Sequence, residues 1–173
     1  MNVVNPARFA PGVGGNAVNR GAVQRHDPAW FEASPIGDVS MYAVARELSF
    51  CYGHRLLDYD GKCARLHGHN ARVVLHLATA ELDRLGMVAD FMTIRDRIGA
   101  WIDSQLDHRM ILHVADPALP ALRDLGEPVH VVEFNPTAEN LARLIFEHAH
   151  DQGLPVVEVE LWETPTCKAT YRP

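Results

Sequence analysis

The chain has 173 residues, of which 47% are hydrophobic, 8% aromatic and 22% charged. That is the length of one domain and the composition of a folded globular protein, which argues against wholesale disorder. Sixteen basic against 22 acidic residues give a net charge of −6; this argues against a general nucleic-acid or anionic-membrane binder, and leaves room for an anionic small substrate held by a few local cations.

No apolar run approaches the ~20 residues of a membrane span, and Met1 to Gly15 holds no continuous apolar segment, so neither a membrane anchor nor a secretory signal is expected. Three cysteines in such a chain read as reduced thiols of a cytoplasmic protein rather than as a disulfide framework.

Residues 1–40 carry Gly12, Gly14, Gly15, Pro28 and Pro35 with almost no periodicity, and read as an extended N-terminal arm. The domain proper is expected over 41–173. Tyr42, Val44, Leu48 and Phe50 share one parity, broken by Arg46, which predicts a strand over 41–50. A loop is expected over 51–66 from Gly53, Asp58, Asp60 and Gly61, and a long strand over 67–79 with Val73, Leu75 and Leu77 on one face. Phe91, Ile94, Ile98, Trp101, Ile102 and Leu106 recur at mostly three- and four-residue steps, the period of an amphipathic helix.

An Asp- and Pro-rich loop follows as far as Pro128, then a strand over 129–134. A second helix is predicted over 137–150, capped either by Asn135 with Pro136 in its first turn or by Thr137, with Glu139 at its positive end. Gly153 and Pro155 end it. Val156 to Glu163 reads as a further strand, and Ala169 to Tyr171 is a candidate extension of the sheet. The order is β-β-α-loop-β-α-β.

The ten histidines carry the chemical information. His67 and His69 stand two apart on a strand, so both rings point to one face, shared with Val73, Leu75 and Leu77. Gly68 between them permits close approach of a neighbouring backbone. His54 continues the parity of Tyr42 to Phe50 and is the best third ligand. Three imidazoles suit Zn²⁺ with one coordination position left open. Cys63 has two readings at this point: a fourth ligand that closes the site, or a thiol of lowered pKa beside the metal that serves as a base.

Asp107 beside His108 can orient and charge the ring only if the pair lies past the end of the helix; taken alone it reads as a solvated helix end. Glu163 has the buried parity of the last strand. It either meets a ligand that presents paired N–H groups or lies in solvent beyond the strand. Cys51 and Cys167 read as ordinary small residues. His26, His76, His113, His130, His148 and His150 read as surface or packing residues.

Five separated motifs carry a resemblance. They are Ser49-Phe50 with His54-Arg55-Leu56; Cys63 with His67-Gly68-His69-Asn70; Leu106-Asp107-His108; Asn135-Pro136-Thr137 with Glu139-Asn140; and Glu163-Thr164-Pro165. Over about residues 42–172 the chain resembles the 6-pyruvoyl-tetrahydropterin synthase family, and within it most the bacterial 6-carboxy-tetrahydropterin synthases of queuosine biosynthesis.

The resemblance implies an α+β tunnelling fold (T-fold): a four-stranded antiparallel sheet with two helices on one face. Sheets of several protomers then join into a barrel, as a homohexamer with active sites between subunits. It implies His54, His67 and His69 as zinc ligands, Cys63 as catalytic base, and Asp107 and His108 as an acid/base pair from a neighbouring subunit. It also implies Glu163 as the pterin anchor with Thr137 beside it. The implied substrate is 7,8-dihydroneopterin triphosphate, with 6-carboxy-tetrahydropterin, acetaldehyde and triphosphate as products. Arg55, Lys62, Arg65, Arg109, Lys168 and Arg172 are the candidate triphosphate cations.

Two competing readings are a different lyase of the family (pyruvoyl-type or folate-type) and a non-catalytic zinc- or pterin-binding protein of the same fold. The chain departs from the family pattern at Cys51-Tyr52-Gly53, where small residues are usual, at Ala71, where an aromatic is usual, and in its N-terminal arm.

Overall fold

The computed structural model describes residues 40–173; the expected arm and His26 lie outside the described residues. Strand β1 (Tyr42–His54) and strand β2 (His67–Thr79) pair antiparallel along their whole length, from Tyr42 opposite Thr79 to His54 opposite His67. Strand β3 (Arg109–His113) lies parallel to the last three residues of β1, and strand β4 (Val129–Val132) lies parallel to β3. On the other side of β2 come strand β5 (Val156–Thr164) and strand β6 (Cys167–Tyr171), both antiparallel to their neighbours. The sheet order is β4-β3-β1-β2-β5-β6.

The expected four-stranded antiparallel sheet is therefore a six-stranded mixed one. The segment from Ala169 does join, as β6. The strand β3 falls where a loop is expected, because the turn that starts it leaves no Gly or Pro in the sequence. His108 itself takes the left-handed conformation, with φ 53°, and reverses the chain between helix and strand. The first strand is also longer than expected. Cys51 to His54 continue it because Gly68 lets the backbones close up: a Cβ on Gly68 would stand 2.8 Å from the carbonyl oxygen of Tyr52.

The expected helix over 91–106 is present in three pieces: helix α1 (Phe91–Ile94), a π-helical stretch (Arg95–Gly99) and helix α2 (Ala100–Gln105). Asp90 caps its start by accepting the Met92 N–H. A short helix α3 (Leu119–Asp124) lies within the Asp- and Pro-rich segment. Helix α4 (Ala138–Asp151) is capped by Thr137, whose hydroxyl accepts the Asn140 N–H, which decides between the two capping alternatives.

The core explains the layering. Phe50 and Tyr52 of β1, Val73, Leu75 and Leu77 of β2, and Val159 and Leu161 of β5 share one face of the sheet. Against that face pack Ile94, Ile98, Ile102 and Leu106 from the first helical layer and Leu141, Ile145 and Ala149 from α4. Both long helical elements thus cover one face. Truncating any one of the fully buried Leu or Ile side chains costs about 2–5 kcal/mol. The other face is polar. Arg72 pairs with Glu47 and stacks on Trp162, Lys168 pairs with Glu160, and Arg172 pairs with Glu158. His76 lies 3.9 Å from carboxylates of both Glu158 and Glu160.

Candidate active site and metal centre

The C-terminal end of β1 and the N-terminal end of β2 form the floor of the site. His54 closes β1, and His67 opens β2 directly opposite it. His69 follows on the same face, opposite Tyr52. The His54 Nε2 lies 3.0 Å from the His67 Nε2 and 3.1 Å from the His69 Nε2.

Backbone carbonyls fix which nitrogens carry protons. His54 Nδ1 lies 2.7 Å from the Pro136 carbonyl oxygen, and His67 Nδ1 lies 2.7 Å from that of Arg65. A carbonyl only accepts, so both rings donate from Nδ1, and each Nε2 presents a bare lone pair. Burial holds the His54 ring below the ordinary histidine range, which keeps it neutral. Two lone pairs 3.0 Å apart repel unless a cation stands between them. The ligands of one tetrahedral zinc, at about 2.0–2.1 Å from the metal, lie about 3.3 Å apart. The three rings therefore fit a Zn²⁺ ion by donor type and spacing, and His54 and His67 fit it by tautomer as well.

The Asn135-Pro136-Thr137 segment does more than start a helix. Asn135 accepts the Leu57 N–H at 2.8 Å and donates to the Leu57 carbonyl at 2.9 Å; Asn140 donates to the Asn135 carbonyl at 2.9 Å. These bonds hold the Pro136 carbonyl against His54. Arg55, next in the chain, pairs through two nitrogens with the buried Asp116, which fixes the exit of β1.

Glu163 approaches from β5. Its Oε1 lies 3.8 Å from the His54 Nε2 and 4.0 Å from the His69 Nε2. The same oxygen accepts the Tyr52 hydroxyl at 2.7 Å. The cluster of ligand atoms comprises His54, His67 and His69, and neither Glu163 nor Cys63 belongs to it. A cavity of about 350 Å³ opens beside the cluster, lined by His54, Tyr59, Cys63, Thr137, Glu163 and Lys168, among others. Cys63 sits in a 3-10 turn, Lys62–Ala64, that faces this cavity.

Asp107 and His108 lie elsewhere. They line clefts with Cys51 and Asn70, not the cavity of Cys63 and Glu163. Asp107 accepts the Cys51 N–H at 2.8 Å and bonds the His108 Nδ1 at 2.7 Å. Burial alone would raise the Asp107 carboxyl, but the Cys51 N–H and His108 outweigh it and hold the group below its ordinary value. The His108 side chain is 79% exposed, so the ring stands out from the chain with its Nδ1–H fixed and its Nε2 free.

Cys51, expected as an ordinary small residue, is part of this second cluster: its thiol donates to Asn70 Oδ1 at 3.0 Å. Cys167 is exposed at the rim of the Cys63 cavity. His148 stacks on Trp101 at 4.1 Å, a packing residue as expected. Two contributors escape the sequence. The Pro136 carbonyl carries no residue-type signal. Tyr52 has the parity of His54, and its partner lies 111 residues away. Of the candidate triphosphate cations, Arg55, Lys168 and Arg172 are already paired with Asp116, Glu160 and Glu158.

Residues 43–173 match the family model of 6-pyruvoyl tetrahydropterin synthase. A 6-carboxy-5,6,7,8-tetrahydropterin synthase of Rickettsia bellii is 36% identical over 134 residues, covering 73% of this chain and 97% of the relative. The enzyme of that name from Haemophilus influenzae is 32% identical over 141 residues, covering 76% of this chain and 99% of its own. An uncharacterized Wolinella succinogenes protein superposes with a TM-score of 0.66 at 30% identity, over 77% of this chain and 98% of its own. The Caenorhabditis elegans 6-pyruvoyl tetrahydropterin synthase shares the fold, with a TM-score of 0.58 at 24% identity over 78% of this chain and 96% of its own. With the model matched from β1 to the last residue and relatives matched over nearly their whole length, this chain belongs to the 6-pyruvoyl tetrahydropterin synthase family.

Proposed function

We propose that the protein is a zinc-dependent lyase. It takes 7,8-dihydroneopterin triphosphate, with water, to 6-carboxy-5,6,7,8-tetrahydropterin, acetaldehyde and triphosphate, a step of queuosine biosynthesis. The observation that carries the reading is the convergence of three imidazoles, two with their protons fixed on the far nitrogens, beside a cavity that also holds Cys63, Thr137 and Glu163. The names of the curated relatives support the choice of reaction within the family.

In this reading His54, His67 and His69 hold the ion, which supplies Lewis acidity to the side-chain hydroxyls of the substrate. Glu163 accepts from the N–H edge of the pterin, with Thr137 and the Ala138 backbone beside it. Cys63 moves a proton at the substrate side chain. It lies outside the cluster of ligand atoms, which supports the base over the fourth-ligand alternative. Asp107 orients His108, whose free Nε2 serves as the second proton-transfer group for a neighbouring copy.

The working unit is then an oligomer, a homohexamer in this reading, with each site built by two chains. Among the described residues no helix is long and apolar enough to cross a membrane, and the three free thiols fit a reducing, cytoplasmic setting.

The test is product identification by mass spectrometry after the zinc-loaded protein meets 7,8-dihydroneopterin triphosphate. The expected products are 6-carboxy-tetrahydropterin and acetaldehyde. A pyruvoyl product or a merely shortened side chain would assign the chain to another reaction of the family. A stoichiometric zinc without turnover would leave a binding protein.

A further inference from the structure

Tyr52 stands where it controls the carboxylate that both the metal and the ligand can claim. It is 3% exposed and lies opposite His69 in the β1–β2 register. Its ring is wedged among Phe50 at 5.5 Å, His54 at 5.0 Å and His69 at 5.8 Å. Its hydroxyl donates to Glu163 Oε1 at 2.7 Å. That oxygen lies 3.8 and 4.0 Å from two of the three converging ring nitrogens, roughly half an ångström or more beyond the ~3.3 Å that separates two ligands on one tetrahedral zinc.

A carboxylate is a good zinc ligand, and a His₃Glu set would fill all four positions and close the site. Glu163 is the penultimate residue of β5, and its side chain is 22% exposed. The phenol holds Oε1 in a hydrogen bond, and the Tyr52 ring is itself held by its contacts with Phe50, His54 and His69. A carboxylate oxygen only accepts, so the phenol is the donor in this bond.

We propose that Tyr52 is a positioning residue that restrains Glu163 from becoming the fourth metal ligand, so that the carboxylate stays available to a ligand with an N–H edge and the metal keeps an open position. The identity of that ligand rests on the pterin-lyase reading; the restraint itself does not.

The experiment uses the full chain in four forms: unaltered, Tyr52→Phe, Glu163→Gln and the double variant. Each is loaded with cobalt(II) for visible absorption and with zinc for titration with neopterin followed by its fluorescence. Phenylalanine keeps the ring and its packing, so a fold change is not expected. In Tyr52→Phe the cobalt spectrum should change as the carboxylate enters the coordination sphere, and zinc should leave more slowly. Neopterin affinity should fall about tenfold, the worth of one hydrogen bond to a charged group. The double variant should return to the unaltered spectrum, because an amide replaces the invading carboxylate.

An unchanged Tyr52→Phe spectrum with unchanged neopterin affinity overturns the proposal. So does a changed spectrum in Glu163→Gln alone, since Glu163 would then already be a ligand; this arm decides even if Tyr52→Phe does not fold. If the unaltered protein binds no neopterin, the pterin reading fails, and the cobalt arm still decides the role of Tyr52.

Discussion

The Cys63 thiol sits in a three-residue turn, Lys62–Ala64, and the Leu56 N–H, just past the end of β1, donates to the Cys63 backbone carbonyl at 2.9 Å. The side chain lines the cavity, and the bond to Leu56 is made by the backbone and does not depend on the thiol. Replacing it should therefore affect chemistry and spare structure. Cys63→Ala is expected to keep one zinc per chain and the same thermal midpoint while turnover falls by about 10²–10⁴, the range of a lost proton-transfer group. Metal analysis beside a rate assay checks this; loss of stoichiometric zinc would make Cys63 a ligand. The convergence of His67 and His69 was legible at this scale because a two-residue step on a strand fixes which way both rings point. Tyr52 was legible only as a parity, because what gives it a role is a hydroxyl–carboxylate bond between β1 and β5. No local pattern records such a contact.

At the scale of elements, the segment Asn135 to Asn140 links helix α4 to the histidine cluster. Its reading as a helix start was correct in kind, and Thr137 is the cap. What the pattern could not show is the second use: Asn135 clamps the Leu57 backbone from both sides, and the neighbouring Pro136 carbonyl orients His54. Partners that orient a metal-binding imidazole typically contribute 10–100-fold to metal affinity. Asn135→Ala removes the clamp without touching the cavity lining. It should lower stability by about 1–2 kcal/mol and weaken zinc binding by about tenfold, measured by thermal unfolding and competition with a chromophoric chelator. Zinc affinity equal to that of the unaltered chain would show that the carbonyl holds its place without Asn135. The long elements were legible because thirteen-residue strands and fourteen-residue helices repeat their period often enough to be seen. The five-residue β3 was not, since it begins at a left-handed histidine instead of at a glycine.

At the scale of the whole molecule, one chain holds two halves of the proposed chemistry that do not meet. Cys63 and Glu163 line one cavity, and Asp107 and His108 line others. The sheet offers a way to bring them together. Its outermost strands among the described residues, β4 and β6, have a neighbour on one side only, and an edge strand with free N–H and C=O groups is a template for pairing with another copy. The proposed oligomer requires that joining copies bring the exposed His108 of one chain to the Cys63 cavity of the next. This arrangement has a quantitative signature. Cys63→Ala and His108→Ala chains should each be inactive alone. Unfolded together in equal amounts and reassembled with zinc, they should recover about a quarter of the unaltered activity, because each shared site draws its two halves at random from two chains. Sites contained within one chain would recover none, since every chain in the mixture lacks one half. The recovered fraction therefore separates a shared site from a private one without any knowledge of the oligomer's size.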